Sequence, residues 1–152
     1  MFILNLLDMR SLLLFSLSFL SCLFIEGQCR FAFLTDLHVV PGNANEIALK
    51  QVVEEINTDR YDFVVVTGDL SNMGSDAELN AVKSILDQLK YPYYIIPGNH
   101  ETNWSESAGM TFKRIWGADR FNFSFGNFCF LGYNTGPFMK MGDGLVKNED
   151  LI

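Results

Sequence analysis

The sequence is poor in the residue types that cross-link small proteins or bind nucleic acid. Only three of its 152 residues are cysteines, and Cys22 and Cys29 lie near the N-terminus, which excludes a framework of disulfides. The third, Cys129, lies between two phenylalanines, where a buried cysteine is expected and not a catalytic thiol. The 11 Lys and Arg residues are scattered, and the formal charge of −7 argues against a nucleic-acid-binding surface.

Apolar residues make up 49% of the chain, which is enough for one globular domain, but they are unevenly distributed. Arg10 precedes an uncharged apolar stretch over residues 11–25 that is short of the length needed to span a bilayer, and Gly27-x-Cys29 offers a small-residue cleavage site. Residues 1–29 are therefore predicted to be a secretory signal peptide, and the protein to be exported to the periplasm, the medium or the cell surface.

Details of this N-terminal segment leave alternatives open. Asp8 is unusual in the basic region of a signal, so Met9 is an alternative initiator. Lipidation of Cys22 would anchor the protein to a membrane. Burial of the segment as an N-terminal helix is the remaining alternative.

The middle of the chain alternates between strand and helix patterns. Short apolar runs rich in β-branched and aromatic residues predict buried strands, and amphipathic repeats between them predict helices that begin at capping-box-like pairs. The order is β-α-β-α-β, as in a parallel sheet. The predicted elements are a strand over residues 30–35, a helix from Asn43 to about Asp59, a strand over 62–67, a helix from Ser75 to Lys90 and a strand over 93–96.

Downstream patterns are weaker except for one hairpin. Phenylalanines alternate with polar residues before Gly126-Asn127, which sits as a two-residue turn ahead of a second apolar run. We expect these aromatic side chains to fill a core. A weaker helix is predicted over residues 105–116, and Asn148 is predicted to cap a helix that the sequence does not complete before Ile152, as expected of a truncated chain.

Three polar groups recur just after the predicted strands, at intervals of about thirty residues. They are Asp36-x-His38, Gly68-Asp69 and Gly98-Asn99-His100-Glu101. Because a strand, a crossover helix and a return to the next parallel strand take about that length, all three groups fall at one edge of the sheet, where open α/β sheets bind ligands.

The side chains in these groups suit a pair of metal ions. Asp36 and His38 can hold one ion, the two oxygens of Asp69 can bridge two, and the amide oxygen of Asn99 can hold the second. Carboxylate, imidazole and amide donors together favour Mn, Fe or Zn. Two such ions lower the pKa of a bridging water and clamp a phosphate at attack, so the expected cofactor is a pair of divalent or mixed-valence ions.

The order and spacing of these motifs resemble the N-terminal half of a calcineurin-like metallophosphoesterase, over about residues 30–152. The resemblance implies an α/β fold, a four-layer β-sandwich flanked by helices, of which this chain carries the βαβαβ half and a β-hairpin. It implies the metal-ligand roles above and makes His100 the catalytic residue that contacts the phosphate or protonates the leaving oxygen. Glu101 belongs to the same motif and is usually structural.

Two departures from the family pattern affect these expectations. His38 and His100 are the only histidines, so three later histidine ligands are absent and both metal sites are incomplete as printed. The family would place those ligands beyond Ile152. Asn72 stands where some relatives have an aspartate that supports the catalytic histidine and purple acid phosphatases have a metal-binding tyrosine, so Asn72 is a candidate support for His100 and argues against a purple chromophore.

The expected function is therefore hydrolysis of phosphate mono- or diesters by an exported dimetal enzyme, with the printed chain itself inactive. The alternative is a non-catalytic metal- or carbohydrate-binding surface domain with Trp104, Trp116 and Tyr133 as contacts. The motifs set neither the substrate nor the oligomeric state, because one metal core serves many phosphate esters.

Overall fold

The computed structural model describes residues 28–137 and 142–151. Residues 1–27 of the predicted signal peptide, with Met9 and Cys22, lie outside these residues. Within the described part of the chain, none of the helices is long and apolar enough to cross a membrane.

Two sheets and three α-helices make up the described structure, and the strand and helix order confirms the predicted α/β fold with its βαβαβ unit and hairpin. The elements are β1 (Phe31–Thr35), α1 (Ala44–Thr58), β2 (Phe63–Thr67), α2 (Asp76–Leu86), β3 (Tyr93–Ile96), a π-helical segment (His100–Trp104), α3 (Met110–Trp116), β4 (Arg120–Phe125), β5 (Phe128–Tyr133) and a 3-10 turn (Asn148–Asp150).

The three parallel strands lie in the order β1-β2-β3, so β2 is central. Thr67, the last residue of β2, pairs with Thr35 on one side and Ile96 on the other, so the three strands end level with one another. This register brings the loops that follow them to one edge. The prediction of a fully buried first strand is wrong, because β1 is an edge strand and its Phe33 is 58% exposed.

Both crossover helices begin where the sequence predicts. The Asn43 side chain accepts a hydrogen bond from the Glu46 amide at 2.8 Å, and Ser75 forms a complete capping box with Glu78. Helix α1 ends at Thr58, as expected. Helix α2 ends at Leu86 and not at the predicted Lys90, because the following amides turn back to carbonyls three residues earlier.

Packing on the two faces of the sheet differs in character. Val64 and Val66 of β2 point into an aliphatic core shared with α1 and α2. On the other face, Phe63 contacts the hairpin rings of Phe123 and Phe130 at centroid distances of 5.0 and 4.9 Å. The half-buried Phe123 and Phe130 therefore pack against the sheet, as predicted for core residues, whereas Phe128 of the same hairpin is 52% exposed.

Three local predictions downstream are wrong. Helix α3 starts at Met110 and not near Ser105, because the preceding Ala108 and Gly109 have positive φ and form a turn. Cys129 is exposed, because its strand turns this position toward solvent beside Ser124.

The predicted cap at Asn148 is also wrong. Lys147 takes the cap position of a single 3-10 turn, and the Asn148 side chain is not used as a cap. Asp150 in this turn forms a buried ion pair with Arg120 at the start of β4, and this tertiary contact fixes the segment.

Candidate metal centre

The site forms where the loops after β1, β2 and β3 meet. Main-chain hydrogen bonds join the first two loops beyond the ends of the strands: His38 N donates to Asp69 O at 2.9 Å and Val39 N to Leu70 O at 3.0 Å. The sheet pairing thus continues past Thr35 and Thr67 in an irregular form that holds the polar residues next to one another.

The backbone at this edge is strained at the predicted ligand positions. Among the described residues, four other than glycine have positive φ, and three of them are Asp36 (53°), His38 (45°) and Asp69 (42°). Each such residue costs about 1–2 kcal/mol and persists only where surrounding contacts impose it. With the backbone in this left-handed conformation, ligand atoms of Asp36 and His38 lie close to each other.

The result is a compact cluster of donor atoms. One ligand atom from each of Asp36, His38 and Asp69 lies within 4.8 Å of the others. Two carboxylates and an imidazole at this separation are a donor set that suits a divalent ion of intermediate hardness. Asp36 is exposed and the other two are half-buried, so the cluster opens to solvent.

His38 is oriented by the start of α1. Its main-chain oxygen accepts hydrogen bonds from the side-chain amides of Asn43 and Asn45, both at 3.1 Å. Asn43 is also the N-cap of α1, so the beginning of the crossover helix and the position of the ligand loop are fixed by the same residue.

Asp69 is oriented by the loop after β3. Its Oδ1 accepts a hydrogen bond from the His100 amide at 3.2 Å. A Cβ at Gly98 would lie 2.2 Å from both Asp69 N and Asp69 Oδ1, so this close approach requires glycine. Asn99, between them in sequence, is half-buried and makes no side-chain cap to the π-helical segment that it precedes.

His100 is enclosed by groups that fix its ring. Its Nδ1 lies 2.6 Å from the main-chain oxygen of Asn72, and its Nε2 lies 3.8 Å from Asp69 Oδ2. Because a carbonyl oxygen only accepts, Nδ1 carries the proton of this hydrogen bond and Nε2 is directed to the metal-binding edge. Asn72 does support His100, but through its backbone and not its side chain.

The buried carboxylate of Glu101 joins the loops after β2 and β3. Glu101 is fully buried, and its oxygens accept hydrogen bonds from Ser71 N (3.0 Å), Ser71 Oγ (2.8 Å) and Gly98 N (2.9 Å). All three donors are neutral groups, two main-chain amides and one hydroxyl. No local pattern in the sequence identifies Ser71 as its partner.

Two of the three aromatic residues considered as carbohydrate contacts lie in contrasting surroundings. Trp116 packs on Phe112 in the core and donates a hydrogen bond to Tyr93. Trp104 is 51% exposed and lies against His100. Trp104, beside the candidate site, is therefore the more exposed of the two tryptophans.

Comparison with solved structures shows the fold. The structure is similar to that of the purple acid phosphatase PPD1 from yellow lupin (Lupinus luteus) seeds, with a TM-score of 0.53 and 15% identity over 68% of this chain and 23% of that one.

Two curated relatives share sequence with this chain. A protein named "Probable cyclic nucleotide phosphodiesterase" from Vesicomyosocius okutanii subsp. Calyptogena okutanii is 28% identical over 71% of this chain and 44% of its own length. The "Glycerophosphodiester phosphodiesterase GpdQ" of Enterobacter lignolyticus is 39% identical over 43% of this chain and 22% of its own length. The chain thus spans less than half the length of either relative.

The family model of calcineurin-like phosphoesterases matches residues 29–150, which include all the described loops of the candidate centre. Its match covers the sheet, both crossover helices and the hairpin. With the fold and the motif loops in agreement, the chain belongs to the calcineurin-like phosphoesterase family.

Proposed function

We propose that this protein hydrolyses phosphate esters, and phosphodiesters in particular, with two bound metal ions. The observation that carries the proposal is the cluster of Asp36, His38 and Asp69 at the carboxyl edge of the sheet, with donor atoms within 4.8 Å of one another. Curated relatives at 28% and 39% identity are named phosphodiesterases, which favours diesters over monoesters.

Each ligand residue has a distinct part in this proposal. Asp36 and His38 hold the first ion, Asp69 is shared between both, and the Asn99 amide contributes to the second. Bound ions of this kind supply a nucleophilic water at neutral pH and stabilise charge on the phosphoryl oxygens. The exposed Asp36 carboxylate leaves the first position accessible to an anionic substrate once its charge is neutralised.

His100 is proposed to donate a proton to the leaving oxygen. The Asn72 carbonyl holds Nδ1 as the donor of that hydrogen bond, so Nε2 is the nitrogen directed to the reacting group. The proton that Nε2 donates is a second one, additional to the proton on Nδ1, and its transfer leaves the neutral ring with Nδ1–H still bonded to Asn72. A nearly buried ring held in one orientation suits a positioned general acid. Contact with a phosphoryl oxygen is the alternative role for the same nitrogen.

The second ion has fewer ligands within this chain than the first. Asp69 and Asn99 are its proposed donors, and the printed sequence has no histidine besides His38 and His100. We infer that residues 30–152 alone bind at most one ion and have negligible activity, because a stable dimetal centre needs more donors.

Export is the proposed localisation, motivated by Arg10 and the uncharged stretch over residues 11–25. N-terminal sequencing of protein produced in a bacterial host is expected to give a mature start near Arg30, or a lipid-modified Cys22. An intact Met1 or Met9 on soluble cytoplasmic protein would reject export.

Exchange of Asp69 for asparagine tests the proposed centre. In the full-length protein reconstituted with Mn, Fe or Zn, Asp69→Asn removes the charge shared by both ions, so metal content and turnover of bis(p-nitrophenyl) phosphate are expected to fall together, turnover by at least about 10³-fold. Glu54→Gln, an exposed carboxylate change on α1, is the control and leaves both unchanged. Full turnover with depleted metal would refute the metal-dependent mechanism.

A further inference from the structure

Trp104 packs against His100 and is also half exposed. It is the last residue of the π-helical segment that begins at His100, and residues at this spacing lie nearly above one another in such a segment. The two rings pack with their centroids 4.0 Å apart and their planes inclined by 31°. Contact with the His100 ring uses only part of the indole surface, because half of the Trp104 surface remains exposed.

A cleft of about 590 Å³ opens beside this indole. Its walls come from residues 73–76 after β2 and from Trp104, Glu106 and Ser107 after β3. The first segment directly follows Asn72, whose carbonyl fixes His100, and the second includes Trp104, which covers His100. The cleft therefore shares its walls with the groups that position the predicted catalytic histidine.

The lining of the cleft selects for a flat and uncharged occupant. Trp104 and the 49% exposed Met73 supply apolar surface. The charged residues of its described lining are Asp76, which is paired with Arg114 at 2.7 Å, and the exposed Glu106. A second anionic group would meet these carboxylates, whereas a neutral ring would stack on the indole.

We propose that this cleft is the leaving-group subsite of the enzyme, with Trp104 as its stacking wall, and that it takes the flat, uncharged ring of the alcohol released from the phosphate ester. The proposal rests on the proposed function, because it assigns the substrate class of the same site. Trp104 is then a specificity-determining residue that selects among esters by their leaving group.

A matched pair of substrates tests the assignment in the full-length, metal-loaded protein. Phenyl methyl phosphate and hexafluoroisopropyl methyl phosphate release alcohols of similar acidity, but only the first carries a flat ring. Trp104→Leu is expected to raise the KM for the phenyl ester about tenfold relative to the KM for the fluoroalkyl ester, with any change in kcat common to both esters. Trp104→Phe retains a ring and is expected to restore the KM for the phenyl ester to within about threefold.

Phe128→Leu is the matched control, because Phe128 is 52% exposed and lies on the hairpin. It is expected to change neither ester. Equal losses on both esters in Trp104→Leu, or a fall in kcat with an unchanged KM, would overturn the proposal and reduce Trp104 to a cover for His100.

Binding measured without turnover separates this proposal from the proposed function. Benzyl alcohol, added to the protein, is expected to change the tryptophan emission in a saturable way that Trp104→Leu abolishes, and cyclohexylmethanol, which is not flat, is expected to bind several-fold more weakly. Such binding in a protein that hydrolyses neither ester would support the subsite and reject the proposed function. Hydrolysis of both esters with no Trp104-dependent binding would support the proposed function and reject the subsite.

Discussion

The loops after β1 and β3 approach Asp69 from the two sides of β2, and they are held in different ways. The β1 loop presents an exposed Asp36 and is fixed through its main chain. The β3 loop is fixed by Glu101, a fully buried side chain with three hydrogen bonds to neutral donors. The β1 loop thus leaves the Asp36 side chain available to a ligand, whereas the β3 loop uses the Glu101 side chain to fix its own conformation.

This difference indicates that ligand binding and stability are separable at this edge of the sheet. A carboxylate that remains open to water can be changed with little cost to folding. A buried carboxylate cannot be changed at such a low cost, because the groups that donate hydrogen bonds to it would be left unsatisfied. Substitutions in each loop test this difference.

The largest effect is expected for His100, which lies in the rigid loop but is proposed to act on substrate. His100→Asn in the full-length, metal-loaded protein is expected to leave both ions bound and to lower turnover by roughly 10²–10⁴-fold, the usual contribution of a positioned general acid. Metal analysis and steady-state kinetics on the same preparation measure both quantities.

A series of leaving groups completes that experiment. If His100 supplies the proton, the defect shrinks for aryl esters whose leaving group needs little protonation. Metal loss on changing His100, or the same defect across the series, would reject the acid role and leave phosphate contact or ligation as its function.

A smaller effect is expected from Glu101→Gln, measured as the free energy of unfolding in urea without metal. The amide group that replaces one oxygen faces a donor, Gly98 N or the Ser71 pair, so we expect a loss of about 2–3 kcal/mol. Asp36→Asn in the exposed loop is the matched control, with an expected change below about 0.5 kcal/mol. Equal losses in the two variants would show that the loops are not held differently.

The smallest effect concerns a second buried carboxylate, Asp119, whose partners include cations. Its burial acts to raise its pKa, but hydrogen bonds from Lys113 and Asn134, with the charges of Lys113 and Lys147, outweigh burial and hold the pKa below its usual value. A carboxyl with a depressed pKa stabilises the fold above its unfolded pKa, and this contribution disappears as pH falls through the folded value.

Asp119→Asn is therefore expected to cost about 1 kcal/mol at pH 7 and progressively less below about pH 4. Urea unfolding of both proteins across that range measures the difference. A gap that persists unchanged into acid would mean that the carboxylate charge does not stabilise this region.

Much of the fold was predictable because its signals are local. The pairs Asn43 with Glu46 and Ser75 with Glu78 set the starts of α1 and α2 through contacts within one turn. The apolar run of β2 and the Gly126-Asn127 turn likewise need only neighbouring residues. Predictions failed where a distant contact decides, as at Asn148, where the ion pair of Asp150 with Arg120 fixes a 3-10 turn.

The candidate site was predictable as a set of residues but not as an arrangement. Regular spacing placed Asp36, His38 and Asp69 at one edge, and the structure brings their donor atoms within 4.8 Å. Their positive φ values were not foreseen, since an isolated aspartate or histidine rarely adopts this conformation. Asn72 was a candidate support for His100, but a contact through its main-chain carbonyl could not be predicted, because every residue type has that carbonyl.

Local sequence patterns set the alternation of strands and helices, the interval between the polar groups and hence the edge where they meet. These follow from periodicity and crossover length, which are properties of short segments. Only the tertiary structure decided which main-chain atoms hold the ligands, that Glu101 ties two loops, and that Trp104 lies over His100. Such contacts join segments about thirty residues apart or depend on a π-helical turn, and their energies arise only when the loops pack together.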